Sequence, residues 1–148
     1  MRKSASKADE NVLKAFEDLG FTLRIDSSYA YTGYFSARDR SIVLRRDGDN
    51  VYHELGHFLA FVAGNVDTGS AFKSIYNEEK SLYDGRNAAY VLGTSSEYFA
   101  ESYREYVLNK DALKTKRPKT CAAIDDAVSR ITDAQVKRIK ALYGGMWE

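Results

Sequence analysis

Residues 51–63, VYHELGHFLAFVA, are apolar nearly all the way round a helical wheel. A helix of that kind has no face to turn to water, so it predicts a buried central helix around which the rest of the chain must pack. The turn Asp47-Gly48-Asp49-Asn50 precedes it, with Asn50 placed to cap its start, and Gly64 stops it. Three polar side chains sit inside this apolar stretch: His53, Glu54 and His57. Burying two imidazoles and a carboxylate costs free energy unless something pairs them. These are the only two histidines in the chain.

On a helix, residues four apart lie on one face, one turn from each other. His53 and His57 can therefore converge on a single divalent ion, which supplies the missing pairing. Glu54 lies one step round, close enough to hold a water bound to that ion without displacing it. His53-Glu54-Leu55-Gly56-His57 is the HExxH arrangement of zinc hydrolases. One zinc ion is the expected cofactor.

The remaining segments divide into a strand-rich first part and a helical second part. Segment 7–19 predicts an amphipathic helix with Val12, Leu13, Phe16 and Leu19 inward, capped by Ser6 and ended by Gly20. Segments 21–25, 29–36 and 41–45 are aromatic or β-branched and predict strands, the last two forming a hairpin. Further helices are expected over about 70–83, 96–109, 119–131 and 133–143. Residues 84–94 read as a loop. Thr132 and Gln135 have capping-box spacing, and Gly144 is expected to close the last helix. The fold class predicted is α+β, mostly α, of the zincin-like metallopeptidase kind: a small N-terminal sheet, a buried active-site helix and a C-terminal helical part. Residues 1–148 are read as one domain.

A catalytic zinc site takes three protein ligands and leaves a fourth position for water. With no third histidine, the last ligand must be Asp, Glu or Cys, and the long metzincin motif is excluded. Segment 96–109 offers Glu97 and Glu101, one turn apart on one helix face, with Phe99, Tyr103 and Tyr106 on an apolar side. One glutamate would bind the metal while the other accepts a hydrogen bond from a ligand histidine. Spacing favours Glu97 as ligand and Glu101 as its supporter. It leaves the exchange open, because Thr94-x-x-Glu97 also matches a capping box, and Glu101 could instead be a solvated partner of Arg104.

HELGH, followed by a tyrosine seven residues before the first glutamate of Glu97-Tyr98-Phe99-Ala100-Glu101, resembles the anthrax lethal factor catalytic domain and the secreted Pro-Pro endopeptidases. The stretch from Leu113 through Pro118-Lys119-Thr120 to Ile131 is also similar. The resemblance covers roughly residues 50–131. It implies a zinc metallopeptidase in which His53, His57 and Glu97 bind zinc and Glu54 is the general base. It further implies that the Tyr90 hydroxyl faces the substrate carbonyl. Without the resemblance, Tyr90 is one of 11 tyrosines and reads as a loop aromatic. The lethal factor's substrate-recruiting domains have no counterpart here, so substrate identity does not carry over.

The expected activity is zinc-dependent endopeptidase hydrolysis of a peptide or protein substrate. Such a substrate could add in extended form to the edge of the strand at 41–45. The alternatives are a catalytically inert zinc-stabilised binding module and a repressor-cleaving HExxH peptidase of a mobile element. Intact Glu54 speaks against the first; the spacing to Glu97 and the lack of a DNA-binding segment speak against the second. A formal net charge of +1 argues against a nucleic-acid partner, and no apolar run is long enough to span a membrane. The chain is expected to be monomeric. No apolar leader follows the basic start, so a cytoplasmic location is expected as the chain stands, with secretion following if a leader has been removed. Cys121 reads as a small buried hydrophobe. Lys114, Lys116, Arg117 and Lys119 read as a solvated loop, and Trp147 carries no signal.

Overall fold

Helix α2 (Asn50–Val62) is the axis of the computed structural model, which describes residues 1–148. Eleven of its 13 residues are buried, as its all-round apolar pattern requires. It begins one residue earlier than expected: Asp49 occupies the cap position, and the Asn50 side chain is engaged elsewhere. Gly64, at φ +108°, ends it in a conformation that costs glycine little.

Before α2 come α1 (Glu10–Asp18) and three short strands, β1 (Thr22–Ile25), β2 (Gly33–Ser36) and β3 (Ser41–Leu44). Helix α1 buries Val12, Leu13 and Phe16, and Leu19 follows them into the core. Ser6 does not cap it. The cap position is Asp9, whose carboxylate accepts instead from the Tyr103 hydroxyl at 3.1 Å. The sheet order is β1-β3-β2, with β2 and β3 forming the expected antiparallel hairpin and β1 running parallel to β3. Strand β3 is therefore central. The expectation that an extended substrate adds to its edge is overturned, since both its edges are already paired. Residues 29–32 are not strand: Tyr29 packs against Tyr31 and Tyr34 with ring centroids 6.0 and 5.2 Å apart, and the segment forms an aromatic loop.

After α2 and a 3₁₀ turn at Val66–Thr68, α3 (Ser70–Glu79) leads through a second such turn, Lys80–Leu82, to α4 (Ala88–Val91), a four-residue helix inside the segment read as a loop. Helix α5 (Ser95–Lys116) breaks at Asn109, where the backbone leaves helical geometry and the side chain accepts from the Ala112 N–H at 3.2 Å. The predicted end at 109 thus falls on a kink, with helix resuming beyond it.

Helices α6 (Pro118–Ser129) and α7 (Asp133–Trp147) complete the chain. Thr132 caps α7 by accepting from the Gln135 N–H, while the Gln135 amide donates to the Val62 carbonyl instead of closing the box. Gly144 does not end α7. The Trp147 ring packs against Phe21, Phe61 and Tyr143, and its Nε1–H donates to the Ala37 carbonyl at 2.9 Å. That packing outweighs the roughly 1 kcal/mol that each helical glycine costs. Arg117 is also not a solvated loop residue. It is 2% exposed, lies over the rings of Tyr83 and Tyr98, and donates to Ser102 and Glu105. Cys121 is buried as expected.

A mostly helical α+β architecture with a small N-terminal three-stranded mixed sheet results, held by one contiguous apolar cluster of 33 residues. Helices α2 and α5 cross in close contact at Gly56. A Cβ on Gly56 would stand 2.8 Å from the Ala100 Cα and carbonyl oxygen, closer than real side chains come. No helix is long and apolar enough to cross a membrane.

Candidate metal centre

The i, i+4 spacing on α2 puts the imidazoles of His53 and His57 side by side, with ring centroids 5.1 Å apart. Because α5 crosses so close to α2 at Gly56, its first turns deliver their carboxylates onto these rings. Glu97 Oε2 lies 2.9 Å from His53 Nε2, and Glu97 Oε1 lies 3.2 Å from His57 Nε2. The three ligand atoms fall within 4.8 Å of one another, so His53, His57 and Glu97 can hold one metal ion.

Thr94 caps the helix start, but the Glu97 side chain does not reach back to close a capping box. The Glu97 backbone N–H donates to Thr94 Oγ1 at 3.1 Å, which caps α5, and its side chain is left free for the histidines. Glu101, one turn further along, accepts from His53 Nδ1 at 2.9 Å. In a neutral His53 ring that bond favours the proton on Nδ1, the tautomer whose Nε2 could serve as a ligand atom. Glu101 is 1% exposed and also accepts from Arg104, so it is a buried junction and not a solvated partner.

The charges follow from this geometry. Burial opposes a charge on His53, but hydrogen bonds to Glu101 and Glu97 prevail and push it up to about 9. Burial likewise opposes the Glu97 carboxylate, yet the two imidazoles hold it far below the usual carboxylate range. A divalent ion held here would have to replace the proton on His53 Nε2, because only an unprotonated imidazole nitrogen is a ligand. Two imidazole nitrogens, one carboxylate oxygen and an outer carboxylate that orients a ligand histidine fit the donor set of a zinc site with one position open.

Glu54 is buried, and burial raises its pKa while the adjacent imidazoles of His53 and His57 pull the other way. With His53 it lines a cleft of about 930 Å³, walled by Tyr29 and Tyr31 of the aromatic loop, Tyr34 of β2, Arg86 and Tyr90. Tyr90, carried on α4, is 63% exposed at this cleft. Partial burial of its hydroxyl end, followed by the nearby Glu97 charge, pushes it up to about 12.

Sequence reasoning missed two sets of residues. Arg86 bonds Glu101 and Asn50. Buried Asp67 accepts from Ser96 Oγ at 2.6 Å, and Ser96 Oγ lies 3.5 Å from His57 Nδ1. Both sets lie in or beside irregular segments, where no periodicity marks them.

Fold and site together define a mostly helical α+β domain whose two central helices bring a His-His-Glu cluster within reach of one ion. Residues 1–127 match the family described as anthrax toxin lethal factor, N- and C-terminal domain, and the chain belongs to that family. The match takes in α1 and the sheet, upstream of the residues on which the resemblance rested. No curated protein matches the chain significantly.

Proposed function

We propose that the protein is a zinc-dependent endopeptidase acting on a peptide or protein substrate. The observation that carries this reading is the convergence of His53, His57 and Glu97 beside the buried carboxylate of Glu54, at a cleft open to solvent. Membership of the lethal factor family supports it.

His53, His57 and Glu97 would hold the ion. Zinc bound there supplies a Lewis acid for the scissile carbonyl and makes water acidic enough to lose a proton near neutral pH. Glu54 takes that proton and hands it to the leaving amine, a role suited to a carboxylate whose pKa burial has raised. Tyr90 donates from the cleft wall to the oxyanion that develops on the carbonyl. With β3 fully paired, β2 is the strand of this hairpin with an open edge. Its Gly33 and Tyr34 line the cleft together with the 29–32 loop before it, so an extended substrate would add to β2.

The test is cleavage of a quenched-fluorescence peptide library by zinc-loaded protein, with Glu54→Gln as control. The amide cannot accept the proton, so the variant is expected to keep zinc and fold while kcat falls by about 10²–10⁴. Wild-type protein that binds zinc and leaves every peptide intact would contradict the reading, as would a variant within about tenfold of wild type.

A further inference from the structure

Arg86 joins three parts of the site that the chain brings together from far apart. Its Nε donates to Glu101 Oε2 at 3.0 Å, and its Nη2 donates to Glu101 Oε1 at 3.2 Å and to Asn50 Oδ1 at 2.9 Å. Arg86 thus grips both oxygens of the carboxylate that orients His53, in the planar fork that only arginine presents. Arg104 reaches Glu101 through one bond of 3.2 Å, and its Nε is buried without a partner. It does not substitute for that fork. The Arg86 side chain is 39% exposed, so it is a clasp at the cleft wall and not part of the apolar core.

The same residue also sets the start of the Tyr90 segment. The Arg86 carbonyl accepts from the Tyr83 hydroxyl at 2.5 Å. Asn87, next in the chain, has φ +50°, and α4 with Tyr90 follows directly. The bond from the guanidinium to Asn50, the first residue of α2, ties this segment to the helix that bears both histidines.

We propose that Arg86 is a positioning residue with two hands. Through Glu101 it holds His53 with Nδ1 donating and Nε2 turned toward the ion. Through Asn50 it pins the segment 86–91 so that Tyr90 stands at the cleft. Metal affinity and transition-state stabilisation are thereby coupled through one guanidinium. The inference rests on the metallopeptidase reading, and deepens it by naming what keeps the ligand and the tyrosine in register.

The experiment measures zinc affinity by chelator competition, the visible spectrum of the Co²⁺-loaded protein, and kcat and KM on a cleaved peptide. The proteins compared are wild type, Arg86→Ala, Arg86→Lys, Glu101→Gln, Tyr90→Phe and the doubles Arg86→Ala/Glu101→Gln and Arg86→Ala/Tyr90→Phe. Loss of an outer partner of a metal ligand typically costs 10–100-fold in metal affinity, and Arg86, one bond further out, is expected to cost about tenfold. Arg86→Lys keeps the charge without the fork and is expected to move in the same direction, with a shifted Co²⁺ spectrum. It also serves where the alanine variant folds poorly. Arg86→Ala/Glu101→Gln is expected to bind zinc no more weakly than Glu101→Gln alone, and Arg86→Ala/Tyr90→Phe at saturating zinc to have a kcat no lower than Tyr90→Phe alone, because residues acting through one another are not additive. Wild-type zinc affinity and an unchanged Co²⁺ spectrum in both Arg86 variants would overturn the proposal, as would losses that simply add. Wild type without zinc would sink the metallopeptidase reading and this inference with it. If wild type binds zinc but cuts no peptide, only the reading of the activity fails, and the zinc and Co²⁺ arms still decide the link from Arg86 to His53.

Discussion

His53 lies between two carboxylates, Glu97 on its Nε2 and Glu101 on its Nδ1, and this single residue separates their roles. Spacing could not do so, since both glutamates lie on one helix face a turn apart. Only Glu97 also reaches His57. Glu97→Ala is therefore expected to abolish stoichiometric zinc binding, whereas Glu101→Ala should weaken it by about 10–100-fold. Zinc titration of the two variants checks this, and the opposite order would exchange the two roles. Tyr90 is the residue that periodicity and composition could least have selected. Tyr90→Phe is expected to lower kcat by about 10²–10³ with KM and zinc content little changed, as for loss of one oxyanion donor. A kcat within a few-fold of wild type would remove Tyr90 from the mechanism.

Among elements, the crossing of α2 and α5 does most to build the site. At Gly56 the α5 backbone leaves no room for a Cβ, which explains a glycine in the middle of a helix where it otherwise costs about 1 kcal/mol against alanine. Gly56→Ala would force a methyl group against the Ala100 backbone, which cannot swing aside. Overpacking of this kind is expected to cost about 1–3 kcal/mol, a fall in Tm of several degrees. Because the same crossing presents Glu97 to both histidines, zinc affinity should fall along with Tm. Thermal melts with and without zinc measure both effects, and an unchanged Tm would show that the helices can part without cost. Caps act at this scale too. Thr94 and Thr132 were legible as helix starts because their hydroxyls meet a backbone N–H three residues on, a purely local bond. Ser6 and Asn50 fit the same rule and do not cap. The cap position at α1 falls on Asp9, drawn to Tyr103, and the Asn50 side chain accepts from Arg86.

At the scale of the whole molecule, the C-terminal helix returns to the N-terminal sheet. Trp147 meets Phe21 and Phe61, bonds the Ala37 carbonyl, and lies under the Arg40 guanidinium at 5.1 Å from its ring centroid. Trp147→Ala is expected to cost about 2 kcal/mol, less than the 3–5 kcal/mol of a fully buried aromatic because the ring is only half-buried. Denaturant unfolding checks it, and zinc affinity measured alongside should stay at the wild-type value, since none of its ring contacts and bonds is to a residue of the cluster. A terminus that merely frayed would leave stability unchanged.

The sequence by itself determined the buried helix, the pairing of His53 with His57, the hairpin, most helix spans and the family. Each of these rests on spacing within a few residues, where sterics, periodicity and local hydrogen bonds act, or on a motif read in order. Only the tertiary structure decided that β1 joins β3 in parallel, leaving β3 no free edge, and that α7 runs through Gly144 to seat Trp147 against Phe21 and Phe61. It also decided that Arg117 is buried, and that Arg86 closes on Glu101 and Asn50. These depend on groups 12 to more than 100 residues apart, whose meeting is set by how the core closes and not by any pattern along the chain. A buried carboxylate such as Glu101 must find its cations wherever packing brings them, because leaving it unpaired in the interior costs more than any local preference can return.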